Sequence, residues 1–251
     1  MENTQEYTKK DLESHIKEEH KINAFSTYVR EIIYGGNDGI VTTFAVVAGF
    51  TGASMGNAAT LSFMIVFLFG LANLFADGTA MGLGNFLSVR ANKKVYARHK
   101  KREYEEIEKS PQEEKIETTY LLEKSGFSEN DAKTLTDIYA KNKPYWANFM
   151  MDHELEMENP EEENPLFKGV ATFISFIAFG FIPLIPYIIF DSVREAFIGS
   201  CISTLVALVL LGILRFRTTK ESPIKAILES VFIGGVSASI AYIVGLFFRD
   251  M

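Results

Sequence analysis

Two aspartates stand beside a long apolar stretch of this sequence, where a charged group is costly. Asp38 and Asp77 flank the block Gly39 to Ala76, which contains no Asp, Glu, Lys, Arg or His. An ionised side chain at bilayer depth costs a few kcal/mol or more, so such residues usually mark an ion pathway, a proton relay or a partnered site. Asn73, Asp77 and Met81 follow at i, i+4 and i+8, which stacks an amide, a carboxylate and a thioether on one helix face. Those donors could hand a cation along the helix. The plainer alternative is that Asp38 caps a helix beginning after Gly35, Gly36 and Asn37, and that Met81 fills a packing gap. Glu229 lies in a later apolar segment, within reach of its polar boundary.

A second group of donors lies in the polar middle of the chain. Glu103 and Glu106 share a helix face at i, i+3, and Glu114 and Glu117 repeat the spacing beyond the turn at Ser110 and Pro111. Glu154, one turn after Met150 and Met151, could add a carboxylate and two thioethers from a third helix. Carboxylates gathered in this way repel one another unless protons or cations occupy the site. Oxygen ligands alone suit Ca²⁺, Mg²⁺ or Mn²⁺, and a thioether moves the preference toward later metals such as Fe²⁺. By composition alone, an acidic run reads more readily as a solvated face. Glu113 is accounted for by a helix cap, His15, His20, His99 and His153 are scattered, and the single Cys201 excludes both a disulfide framework and a thiolate cluster.

The elements that position these groups are helices. Charges are also absent from Gly169 to Phe190, Ala196 to Leu214 and Ser230 to Phe248, although 23% of the chain is charged. A bilayer core of roughly 30 Å needs about 20 apolar residues. Spans are therefore expected at 32–50, 58–83, 167–190, 196–214 and 224–248, with a tight turn from Thr51 to Asn57. The net charge of -7 is concentrated: 18 acids against 12 Lys plus Arg fall between Ala91 and Asn164. That balance suits cations and argues against nucleic acid. The basic run from Arg90 to Arg102, with Arg215, Arg217 and Lys220, places the N-terminus and the acidic segment in the cytosol. Within that segment, Ser110-Pro-Gln-Glu113 and Ser128 with Asp131 read as helix starts, Gly126 as a stop, and Pro144 as the opening of a third helix. The fold class is thus all-α: a polytopic membrane protein with five spans and a cytosolic three-helix, carboxylate-rich domain between spans two and three. The expected organisation is a cytosolic N-terminal segment at 1–29, spans one and two at 30–90, the carboxylate domain at 91–164 and spans three to five at 165–251. Without an N-terminal signal peptide and with short loops, a bacterial cell membrane is favoured over a vacuolar one.

Two stretches then point to a family. Tyr34-Gly-Gly-Asn-Asp-Gly-Ile-Val-Thr-Thr-Phe-Ala-Val-Val-Ala-Gly49 resembles the first-span signature of the vacuolar iron transporter family, and Ala76-Asp-Gly-Thr-Ala-Met-Gly-Leu-Gly-Asn-Phe-Leu-Ser88 resembles the second. The resemblance runs from about Tyr28 through the glutamate-rich insertion, Phe179-Gly-Phe-Ile-Pro-Leu-Ile-Pro186 and Gly234-Gly235. It implies five spans, a homodimer with its pathway at the subunit interface, and proton-coupled export of Fe²⁺ or Mn²⁺ from the cytosol. It also implies transport roles for Asp38 and Met81, and a metal-binding set of Glu103, Glu106, Glu114, Glu117, Glu154, Met150 and Met151. The metal would be substrate, with no permanent cofactor. Many members carry a glutamate where this chain has Asn85.

Two other classes compete. A membrane-anchored carboxylate-bridged metal oxidase would also gather glutamates on helices, but such bundles use Glu-x-x-His pairs. None is present here, since Leu12, Lys17, Tyr96 and Met150 stand three residues before the histidines. In the third reading the acidic domain is a sensor that gates a metal channel.

Overall fold

The computed structural model describes residues 27–54, 63–190, 192–219 and 222–247, and every regular element among them is helical. Residues 1–26 with His15 and His20, the turn residues Met55 to Asn57, Ala58, Asp191, Lys220 and the C-terminal Phe248 to Met251 lie outside the described residues. The helices are α1 (Val29–Ser54), α2 (Phe63–Lys109), α3 (Pro111–Lys124), α4 (Glu129–Tyr139), α5 (Lys143–His153), α6 (Pro165–Gly180), α7 (Pro186–Ile189), α8 (Val193–Thr219) and α9 (Pro223–Phe247). A 3-10 turn, Ile182–Leu184, separates α6 from α7. Among the described residues, four stretches are long and apolar enough to cross a bilayer: Met64–Lys109, Pro165–Leu184, Val193–Arg217 and Pro223–Phe247. At 26 residues α1 has comparable length, but Arg30, Glu31, Asn37 and Asp38 and its five glycines dilute its apolar content.

Two units emerge from the packing: the described residues up to Leu83 with those from Lys168 onward, and Gly84–Phe167. In the first, α1 packs against α8 and α9. Phe44, Val47, Leu74, Phe176, Leu184 and Tyr187 form one buried cluster, and Ile40, Ala207, Leu208 and Leu211 form another. Close approach depends on missing side chains. A Cβ at Gly39 would run into the Phe176 carbonyl of α6, and one at Gly245 into the Gly49 carbonyl of α1. Small residues at such crossings let helices meet backbone to backbone where lipid supplies no hydrophobic drive for association. Ser175 Oγ reinforces the α1–α6 seam by donating to Ile32 O at 2.6 Å. Large apolar side chains point outward instead, Phe232 and Phe247 at 72% and 77% exposure, as lipid-facing surfaces require.

The third expected span is interrupted. Pro183 and Pro186 lack the N–H that would continue the helical ladder, so α6 stops at Gly180 and the chain proceeds through the 3-10 turn. The buried Pro183 carbonyl accepts from Ser200 Oγ on α8 at 2.7 Å. The helix that carries the second expected span does not end with it, because α2 continues without a break to Lys109.

The unit Gly84–Phe167 is built on the end of α2 with α3, α4 and α5 around Ile107, Leu122, Ala132, Trp146, Phe149 and Met150. Ser128 caps α4 through Asp131 N, and α5 opens as expected with Pro144 in its first turn, Asn142 capping it by accepting from Tyr145 N. Ser110 occupies the cap position before Pro111, but its hydroxyl makes no capping bond; its carbonyl accepts from the Glu113 and Glu114 amides instead. After α3 the chain turns at Gly126, whose φ of +101 suits a residue without Cβ.

Candidate metal-binding and transport sites

In the first unit Asp38 lies in the interior of α1, which begins nine residues earlier at Val29. It therefore caps nothing, and the helix-cap alternative is set aside. Its carbonyl accepts from Thr42 Oγ1 at 2.8 Å in the ordinary i+4 manner, leaving the half-buried carboxylate to other contacts. Asp77 on α2 is close enough to act electrostatically on it. Asn73 Nδ2 donates to Asp77 Oδ2 at 2.8 Å, so two members of the expected stripe are joined. Met81, the third, is partly buried against the cluster containing Phe44 and Phe176. Sequence reasoning passed over Glu31, 4% exposed, which pairs with Lys168 at 3.5 Å while its Oε2 is buried without a hydrogen bond. The signal was available: Glu31 and Asp38 are two helical turns apart and share a face of α1. Glu229 pairs with Arg215 at 2.8 Å, which accounts for a carboxylate in α9.

In the second unit, three helices bring five carboxylates within electrostatic reach of one another. Glu103 is 3% exposed and Glu114 5%, and in each Oε2 is buried without a hydrogen bond. Burial, together with the charges of Glu154, Glu106 and Glu117, pushes the Glu103 carboxyl up to about 7; Arg102 opposes the shift. Burial and the charges of Glu117, Glu103, Glu154 and Glu106 push Glu114 up to about 7 as well. Glu154, at the C-cap of α5, is raised by partial desolvation and by Glu117 and Glu106, with Arg102 opposing. Glu106 is paired to Arg102 at 3.0 Å, and Glu117 and Glu154 are exposed. Among the described residues, no three acidic, histidine or cysteine side chains close to metal-ligating geometry. The cluster is thus an open set of carboxyl groups in which burial and mutual repulsion favour the protonated form of Glu103 and Glu114.

Met150 and Met151 are fully buried. Met150 belongs to the packed core, and its Sδ lies 3.2 Å from Thr118 Oγ1, one turn beyond Glu114 on α3. Glu113 is exposed. His99 and His153 are not drawn in; His153 stacks on Phe149.

Helices of membrane-crossing length around carboxylates set among apolar residues define a multi-pass membrane protein. The chain belongs to the VIT family, whose model matches residues 29–246. It is 36% identical over 245 residues to a protein named vacuolar iron transporter from Toxoplasma gondii, covering 94% of this chain and 79% of that one. It is 33% identical over 214 residues to vacuolar iron transporter 1 of Arabidopsis thaliana, covering 85% and 83%. The vacuolar iron transporter of Plasmodium falciparum matches at 32% over 231 residues, covering 88% and 82%. The family is one of transporters rather than enzymes, which removes the oxidase reading.

Proposed function

We propose that this chain moves divalent metal, Fe²⁺ and also Mn²⁺, out of the cytosol in exchange for protons. The observation that supports it most is the pair of buried, unpartnered carboxylate oxygens of Glu103 and Glu114 inside a five-carboxylate cluster. Protons and divalent cations are the two species that relieve such repulsion, and they compete for it. Glu103, Glu106, Glu114, Glu117 and Glu154 collect the ion, with Met150 and Met151 tilting preference toward Fe²⁺. Metal arrival draws the carboxylates together and displaces their protons.

The membrane step rests on Asp38 and Asp77, with Asn73 orienting Asp77 and Met81 offering a thioether. In this reading α1 is a fifth span, because its carboxylate is needed at membrane depth beside α2. In this reading the N-terminus and the 91–164 domain lie on the cytosolic side, the side that an excess of Lys and Arg near the spans favours. Delivery is then to the far side: the exterior if this is a bacterial cell membrane, or a lumen such as the vacuole in the relatives' names. A homodimer completes the pathway between two copies. At 47 residues α2 is about 70 Å long, more than one bilayer crossing requires, and it joins the membrane step to the collecting domain in one helix.

Asp38→Ala in proteoliposomes tests the pathway. Flux of Fe²⁺ falls about a hundredfold or more, the loss of an ion-site carboxylate worth roughly 3 kcal/mol, while size-exclusion behaviour stays parental. Transport at the parental rate would remove Asp38 from the pathway.

A further inference from the structure

One buried hydroxyl on α3, the helix that carries Glu114 and Glu117, touches the Met150 thioether of α5. Thr118 is fully buried, and its Oγ1 lies 2.7 Å from Glu114 O and 3.2 Å from Met150 Sδ. Trp146 Nε1 donates to the same oxygen at 2.7 Å. The indole therefore fixes the oxygen and occupies one of its lone pairs. The single hydroxyl proton is left to choose between the Glu114 carbonyl and the Met150 sulfur. Methionine has three rotatable bonds and adapts to whatever surrounds it, so its sulfur points in a defined direction only if something holds it. Here the hydroxyl does so, from the turn of α3 that follows the buried Glu114.

We propose that Thr118 is a positioning residue that aims the Met150 thioether at the carboxylate cluster and thereby sets the preference for softer over harder divalent ions. This rests on the reading of the cluster as a metal site. When a soft ion takes one sulfur lone pair, the hydroxyl proton can pass fully to Glu114 O, already at the shorter distance. No buried donor is then orphaned. A hard ion held by carboxylate oxygens gains nothing from the sulfur, so its affinity should not depend on Thr118.

The experiment is calorimetric titration of the purified full-length chain with Co²⁺ and with Mn²⁺, taking the ratio of the two affinities. Met150→Leu defines the ratio without a thioether. Thr118→Val keeps the shape and deletes the hydroxyl; the Co²⁺ to Mn²⁺ ratio should fall about fivefold, the equivalent of one hydrogen bond of ~1 kcal/mol, with Mn²⁺ affinity unchanged. Thr118→Ser, which retains the hydroxyl, should keep the parental ratio. Should the valine variant fail to fold, Trp146→Phe carries the same test by removing the donor that fixes Oγ1. A parental ratio in the valine variant, or in Met150→Leu, overturns the proposal and leaves the carboxylate site intact. A serine variant as impaired as the valine one assigns the effect to packing and overturns it too. Parental protein that binds neither ion would instead refute the metal-site reading itself.

Discussion

Glu103 and Glu114 are acids that folding makes weaker. Each has an ordinary value of 4.5 and is pushed up to about 7, first by burial and then by neighbouring carboxylates. The native chain therefore binds protons more tightly than the unfolded chain between those values. Linkage then requires the metal-free domain to lose stability as pH rises from about 4.5 to about 7, with little further change from these two groups above that. Divalent metal should reverse the loss, since it favours the ionised carboxylates, and its binding should release more protons as pH falls below about 7 than above it. Hydrogen exchange of the α3 and α5 amides against pH, with and without Mn²⁺, reads both effects. The double variant Glu103→Gln with Glu114→Gln has neutral side chains at both positions at every pH, so it should lose most of the slope and bind metal at least tenfold more weakly, roughly 1.4 kcal/mol. The same pH slope in variant and parent would assign it to other groups.

At the scale of elements, the membrane unit depends on helices meeting without side chains between them. Gly39→Leu should force α1 from the Phe176 carbonyl of α6, an overpacking that typically costs 1–3 kcal/mol. Gly84 faces nothing within 4 Å, so Gly84→Ala should be neutral or stabilising by about 0.5–1 kcal/mol in mid-helix. Thermal unfolding in detergent compares the two, and an undiminished melting temperature for Gly39→Leu would mean the seam yields freely. Much of this architecture was legible because long charge-free blocks admit few structures other than spanning helices. The break at Pro183 and Pro186 was written in the sequence but hidden by its apolar surroundings, which hydropathy reads as continuous. The run of α2 to Lys109 was missed for the opposite reason: polarity was taken as the end of a span, yet no proline interrupts the helix there. Capping rules identified Ser128 through local chemistry, whereas Ser110 has φ -130 and ψ 51, a backbone that turns its hydroxyl from the first amides. The i, i+3 glutamate spacing put four carboxylates on two helix faces. Which of them would be buried was not legible, because tertiary packing covers Glu103 and Glu114 and leaves Glu117 in water.

The whole molecule combines clustered carboxylates with helices of membrane-crossing length, and the proposed cycle follows from the cost of charge in a bilayer. A metal-loaded carboxylate crosses partly neutralised; the same group returning bare would cost a few kcal/mol or more, and returning protonated avoids that cost. Protons entering from an acidic far side would discharge metal there and reset Asp38 and Asp77. With Asn85 in place of a carboxylate, the proposed coupling would rest on these two aspartates and the clustered glutamates. The direct measurement uses the purified chain in liposomes holding a fluorescent pH reporter, with membrane voltage clamped, during Fe²⁺ entry. Proton efflux accompanying metal uptake, at a rate that rises as the lumen is made more acidic, is the expected result. Metal uptake without proton movement, indifferent to the imposed gradient, would contradict exchange and make the protein a passive channel.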